Sequence, residues 1–175
     1  YTGRNSRTTT ATFSASGVAD KTLTIVQAGK TEFVDIQDSA SINQSGGTLT
    51  ITGTSNSKKL TFALTLDSIG LTLPSAYLVN SLSVNNDAVI LGDPGASSEF
   101  TFSITFTNIP ANATTSSVTA QLTVTAYNGT VDTCTITQAA GDPTLSISPT
   151  TINLTANGVA DSAVTVTSNT SWSIS

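Results

Sequence analysis

The chain has 175 residues, a hydrophobic content of 38%, a charged content of only 10% and a net charge of -5. Phosphate binding needs clustered cations, so six Lys and Arg with only Lys58-Lys59 adjacent exclude nucleic acid as a partner. The absence of His and of a second Cys excludes zinc and dithiol chemistry, and no apolar run approaches the roughly 18 residues of a membrane span, so no membrane insertion is expected.

Abundant Thr and Ser among β-branched residues suit half-buried strands, whereas disorder would need more charge. Cys134 falls at alternating spacing in a strand and is read as a small buried hydrophobe. The chain opens at Tyr1 with no initiating Met and no signal-peptide pattern, and is read as a processed product or a piece of a longer protein. Low charge, no Met and many short Thr-, Ser- and Asn-rich strands are the character of secreted or surface repeat domains.

Residues 1–29 carry one predicted hairpin. Ala11 and Phe13 alternate with polar residues, the segment Ser16 to Asp20 turns, and Leu23 and Ile25 resume the alternation. A single hairpin is marginal in water, so this piece must rest on something else. Residues 30–141 are long enough for a complete sandwich. Phe33, Val34 and Ile36 predict its first strand, Leu49 and Ile51 another, and Leu60, Phe62, Leu64 and Leu66 a strand with one apolar face. Strand boundaries between 67 and 98 are not legible, apart from turns at Asn85-Asn86-Asp87 and Gly92-Asp93-Pro94-Gly95 flanking a short Ala88–Leu91 strand. Phe100, Phe102, Ile104 and Phe106 give the clearest core-facing alternation. Val118, Ala120, Leu122 and Val124 follow, then an Asn128-Gly129 hairpin turn, then Cys134 and Ile136. Residues 142–175 open on Asp142-Pro143 and carry alternations at Leu145 and Ile147, Ile152 and Leu154, Val164 and Val166, and Trp172 and Ile174. No segment has helical periodicity.

The two ends echo the middle. Setting Leu23 on Cys134 places Ala11 on Leu122, Phe13 on Val124, Ile25 on Ile136 and Gln27 on Gln138, an offset of 134 − 23 = 111 residues. At the other end Val34 falls on Leu145, Ile36 on Ile147 and Gly47 on Gly158, while Thr54-Ser55-Asn56 falls on Thr167-Ser168-Asn169 after a small insertion. The expected fold is therefore all-β: tandem immunoglobulin-like β-sandwiches, one complete (30–141) and two partial, with 1–29 the closing strands of one unit and 142–175 the opening strands of another. Gln27, Ala28 and Gly29, and Gln138, Ala139, Ala140, Gly141, Asp142 and Pro143, are the expected inter-domain linkers.

The run from Val164 to Ile174, with its Ser168-Asn169-Thr170-Ser171-Trp172 stretch, resembles the opening of the BACON domain, an immunoglobulin-like sandwich frequent in Bacteroidetes surface and secreted proteins. Asn5 to Thr12 followed by Thr24 to Gly29 resembles that domain's closing half. The middle unit departs from it, with Lys58-Lys59-Leu60 where Ser171-Trp172 would be expected and a longer stretch from Leu71 to Gly95. The resemblance implies a carbohydrate-binding role proposed for the family, and similar modules occur in bacteriophage tail proteins and long surface adhesins.

Catalysis is not expected. No His can serve a Ser or Cys, and Asp35, Asp38, Asp67, Asp87, Asp93 and Glu99 read as isolated turn and surface carboxylates. Asn85-Asn86-Asp87 and Asp93-Pro94-Gly95 lack calcium-loop spacing, and no cofactor is expected. Stacking on sugar needs exposed aromatics, yet Phe62, Phe100, Phe102 and Phe106 sit at core parity and Trp172 is expected to plug its own sandwich, leaving Tyr77 and Tyr127 near loops. Five Asn-X-Ser/Thr triplets, at Asn43, Asn112, Asn128, Asn153 and Asn169, are what so Thr-rich a chain produces by chance. Asp38-Ser39-Ala40, Asp67-Ser68-Ile69 and Asp161-Ser162-Ala163 resemble the triplet at which Bacteroidetes attach O-glycans, which makes Ser39, Ser68 and Ser162 candidate O-glycosylation sites. The sequence thus points to a structural repeat segment of an extracellular stalk, fibre or adhesin filament, with a carbohydrate- or mucin-binding module of a surface protein or phage virion fibre as the alternative. Its expected partners are adjacent repeats of the same longer chain, neighbouring filament chains and host or surface glycans. Lateral pairing of edge strands is expected wherever Lys58-Lys59 or the Pro-containing turns do not block it.

Overall fold

The computed structural model describes every residue except 159–162. Alternation and turn chemistry produce thirteen strands among the described residues. β1 (Arg7–Phe13) and β2 (Lys21–Gln27) form an antiparallel hairpin around a turn in which Gly17 has a φ of 83°, a left-handed value that glycine adopts without strain. Then come β3 (Val34–Ile36), β4 (Ser39–Ile42), β5 (Gly47–Ser55), β6 (Leu60–Asp67), β7 (Ala76–Val79), β8 (Leu82–Asn85), β9 (Phe100–Ile109), β10 (Val118–Ala126) and β11 (Val131–Gln138). β12 (Leu145–Ser148) and β13 (Thr165–Ser168) pair as a second two-stranded sheet.

The nine central strands make a sandwich of two sheets, ordered β3-β5-β9-β7-β8 and β4-β11-β10-β6. With β4 and β8 set aside, the first, second, fifth and fourth strands share one sheet and the third, sixth and seventh share the other, which is the immunoglobulin order. The chain changes sheets after β3. The Ile36 N–H donates to Asp132 Oδ2 across the sandwich (2.8 Å), Thr135 N–H donates to Asp38 O (2.9 Å), and β4 then runs parallel to β11. β8 is an addition that extends the five-stranded sheet beyond β7.

The core lies between the sheets. Phe100, Phe102, Ile104 and Phe106 alternate inward from β9, and Leu122, Val124, Cys134 and Ile136 face them from β10 and β11, all buried. Phe62 packs on Tyr77 at 4.8 Å between ring centroids and edge-on to Phe102 at 5.7 Å. Burial of this kind contributes about 1.5–3 kcal/mol per large side chain.

Three expectations give way where pairing geometry overrides pattern. The predicted alternation of β6 runs out because Leu122 pairs Leu64 while the adjacent Gln121 pairs Leu66; the bulge at Thr65 turns Leu66 outward, 67% exposed. Residues 88–91 form no strand. Only Val89 bridges Lys59, Ile90 is buried, and the Gly92–Gly95 turn closes as a 3-10 turn at Pro94–Ala96. Ile152 and Leu154, and Trp172 and Ile174, lie outside strands, because a strand exists only with a partner. In the repeat register Ile152 falls on Ser41 of β4 and Ile174 on Thr61 of β6, strands that pair with β11 and β10, while Leu154 falls on Asn43 and Trp172 on Lys59, one residue outside them.

Candidate functional site

The positions where the central sandwich meets its flanking hairpins are built from one set of hydrogen bonds, used twice. At the first, Asn56, fully buried at the end of β5, accepts from Phe33 N–H at Oδ1 (2.9 Å) and donates from Nδ2 to Thr31 O (3.2 Å). Beside it Ser55 Oγ donates to Phe33 O (2.5 Å) and accepts from Ser57 N–H (2.9 Å), while Lys30 N–H donates to Gly3 O (2.9 Å).

At the second, Asn169 accepts from Thr144 N–H (2.8 Å) and donates to Asp142 O (3.0 Å). Ser168 Oγ donates to Thr144 O (2.7 Å) and accepts from Thr170 N–H (3.1 Å), and Gly141 N–H donates to Thr114 O (2.7 Å). The offsets are 144 − 33 = 111, 142 − 31 = 111, 141 − 30 = 111 and 114 − 3 = 111, with 169 − 56 = 113 and 168 − 55 = 113 across the insertion. The hairpins share the register as well: Arg7 faces Gln27 as Val118 faces Gln138, and Phe13 faces Lys21 as Val124 faces Asp132.

Each joint adds contacts of its own. The first holds Arg4, its side chain 15% exposed, between Glu32 (Nη1 to Oε1, 3.0 Å) and Asp93 (Nη2 to Oδ2); Nη1 also donates to Asn56 O (2.9 Å) and Arg4 N–H to Gly95 O (3.1 Å). The backbone approaches closely here. A Cβ at Gly95 would collide with Asn56 O and one at Gly29 with Arg4 O, so both positions require glycine. Lys30 pairs with Glu99 at 2.6 Å on the exposed side. At the second, Asp142 Oδ2 accepts from Gln44 Nε2 (3.0 Å), Asn169 Nδ2 also donates to Ala113 O (2.9 Å), and buried Asn112 ties Ser116 O (2.8 Å) to Ala139 O (3.0 Å).

Among the residues expected to form linkers, Ala28 and Gly29, and Ala139, Ala140, Gly141, Asp142 and Pro143, lie between strands. Gln27 and Gln138 instead end β2 and β11, and Gln138 is buried because its Nε2 reaches Pro110 O (2.8 Å) below the core. Ser39 in β4 and Ser68 after β6 are exposed; Ser162 lies outside the described residues. Several carboxylates read as isolated are engaged. Asp93 clasps Arg4, Asp67 accepts from the Ile69, Gly70 and Leu71 N–H groups (2.9, 2.9 and 2.7 Å), and hydrogen bonds from Lys59 and Thr61 hold Asp87 below the usual carboxylate range.

Burial pushes the Cys134 thiol up to about 11 and the Tyr77 phenol up to about 12. Tyr77 is buried, whereas Tyr127 is 54% exposed with Lys58 Nζ 3.6 Å from its ring centroid, and Trp172 is 49% exposed rather than plugging a sandwich. Sequence reasoning missed Arg4, Glu32 and the side-chain role of Asn56 and Asn169. The repeated Thr-Ser-Asn triplet was the available signal for the last two, while nothing local marks an Arg that finds its partners 28 and 89 positions away.

No helix of the described residues is long and apolar enough to cross a membrane. No protein-family model and no curated protein matches the chain. A crystal structure of the major pilin subunit of Bacillus cereus is similar over 93% of this chain, with a TM-score of 0.39 and 11% sequence identity. The chain spans 60% of that pilin, and at this score the likeness bears on neither function nor assembly.

Proposed function

We propose that this chain is a structural repeat segment of an extracellular stalk, fibre or adhesin filament made of tandem immunoglobulin-like sandwiches. Residues 30–141 are one whole unit, 1–29 the closing strands of the unit before it and 142–175 the opening strands of the unit after it. The observation that carries this reading is that the hydrogen bonds with which residues 30–141 open recur where residues 142–175 open, at offsets of 111 and 113 residues. Two segments that open with the same hydrogen bonds are built as copies of one unit, and self-burying units joined end to end extend a chain as a rod.

The hairpins agree with this reading. Phe13, Leu23 and Ile25 are 60%, 52% and 49% exposed, whereas their counterparts Val124, Cys134 and Ile136 are fully buried. A face patterned for a core is a face that a complete unit covers. In this reading the repeat is a BACON-like relative, Ser39 and Ser68 are exposed enough to carry O-glycans, and the neighbours are adjacent repeats and other filament chains. The carbohydrate-binding alternative has less support: Tyr127 stands beside the first joint and Trp172 beside the second, so they form no shared platform.

The test is to image tandem copies of the repeat by negative-stain electron microscopy. Three and six copies should give straight particles whose length grows by a constant increment; compact clusters of independent beads would overturn the reading. Intact mass of protein from its native source, equal to the bare polypeptide, would remove the glycans.

A further inference from the structure

The edges of the central sandwich are managed unequally. Along the first half of β6 the 86–90 loop stands in for a neighbouring strand: Asn86 Oδ1 accepts from Phe62 N–H (2.8 Å), its Nδ2 donates to Phe62 O (3.1 Å), and Ile90 N–H donates to Lys58 O (2.9 Å). Lys59 and Asp87 place a charge pair over the same edge (2.6 Å). β3 is three residues long, and on the four-residue β4 Gln37 Nε2 donates to Ser39 O (2.9 Å). These are the usual defences against strand addition.

β8 is as short as β4 but, among the described residues, has no side chain capping its outer edge and no charge on it. It follows β7 through a two-residue turn, Asn80-Ser81, with φ of 45° and 72°, and the pairs Val79–Leu82, Leu78–Ser83 and Tyr77–Val84 fix its phase. In such a hairpin the paired main-chain groups are those of Leu82 and Val84, so the N–H and C=O of Ser83 point away from β7. Among the described residues neither has a main-chain partner. The stretch Ala76–Asn85 contains no charged side chain. Alongside it runs an apolar groove of about 320 Å³ lined by Val79, Leu82, Val84, Ile90, Leu91 and Pro94, with Leu82 71% and Leu91 93% exposed.

We propose that β8 is a homotypic docking edge, where a second copy of this chain adds its own β8 antiparallel across a two-fold axis at Ser83. The arrangement is self-complementary. Each Ser83 N–H donates to the other's C=O, and Leu82 of one copy lies beside Val84 of the other on the groove side, closing both grooves. A charged edge could not meet its own copy without opposing like charges; this edge carries none. The pairing needs no filament, so it stands or falls apart from the stalk reading. Within a filament it ties rods side by side.

The experiment uses the 175-residue chain. Ser83→Cys should oxidise to a covalent dimer, since a hydrogen-bonded antiparallel pair sets the Cα atoms about 5.5 Å apart, within disulfide reach, and the native Cys134 is buried. Leu66→Cys, on the outward face of β6, should stay monomeric. In sedimentation velocity Leu82→Lys should raise the dimer Kd by about tenfold or more, because each ammonium would be buried beside Val84 of the other copy and the two would repel across the diagonal. Cross-linking of Ser83→Cys no faster than Leu66→Cys, or an unchanged Kd for Leu82→Lys, overturns the proposal. The second result would assign association to the exposed hairpin faces instead.

Discussion

Asn56→Ala is the most discriminating perturbation, because the repeat supplies its own control at Asn169. Asn56 is fully buried and makes two main-chain hydrogen bonds, accepting from Phe33 N–H (2.9 Å) and donating to Thr31 O (3.2 Å). Truncation leaves the Phe33 N–H without a partner, about 1–3 kcal/mol, and loses the bond to Thr31, about 1 kcal/mol, for a total of about 2–4 kcal/mol. With a urea m-value of about 1–2 kcal/mol/M the midpoint should fall by about 2 M. Asn169→Ala removes the same pair of bonds from Thr144 and Asp142 and a third to Ala113 O, but all three of those residues are exposed and water replaces the lost partner, so its cost should stay below about 1 kcal/mol. Urea unfolding followed by far-ultraviolet circular dichroism measures both. Equal costs, or a loss below about 1 kcal/mol for Asn56→Ala, would refute the view that burial rather than bond geometry sets the strength of each joint.

Arg4→Ala strips the cation from buried Glu32 and should cost about 3 kcal/mol, the lower end of the range for broken buried pairs because the Asp93 side chain is 35% exposed; limited proteolysis should then cut ahead of Lys30 many times faster. Leu122→Ala should cost about 2–5 kcal/mol, whereas Leu66→Ser should change stability by no more than about 0.5 kcal/mol; a cost above about 2 kcal/mol at Leu66 would remove the β6 bulge. Burial raises Cys134 from 9.0 to about 11, so its contribution is complete below pH 9.0 and is lost as pH rises toward about 11, where the unfolded chain gains a thiolate that the folded one resists. The urea midpoint should fall over that window, less steeply in Cys134→Ala. Iodoacetamide should leave Cys134 unmodified at pH 8 until urea unfolds the chain.

Period-two alternation made β1, β2, β9, β10 and β11 legible, because each has one face on a core or patterned for one. It failed where the partner, not the strand, decides. The β6 bulge is set by how Gln121 and Leu122 pair, and Ile152, Leu154, Trp172 and Ile174 keep their alternation without forming strands. The 67–98 stretch was opaque because β7 and β8 are four residues each and their connection to β9 is held by side chains, Asn86 and Asp87 on β6 and Asp93 on Arg4. The joint was half visible. The repeated Thr-Ser-Asn triplet marked where it lies, but the chemistry of Asn56 and Asn169 toward main chain 25 and 27 positions away exists only once the strands pair.

The central claim is that the joint is a fixed element of architecture and not a flexible tether. Its most direct measurement is the distance distribution between spin labels at Thr10→Cys on β1 and Thr105→Cys on β9, both exposed, with the buried Cys134 unlabelled, by pulsed double electron–electron resonance. A rigid joint predicts one narrow distribution that broadens in Arg4→Ala. A distribution already broad in the parent chain, and unchanged by that substitution, would contradict it.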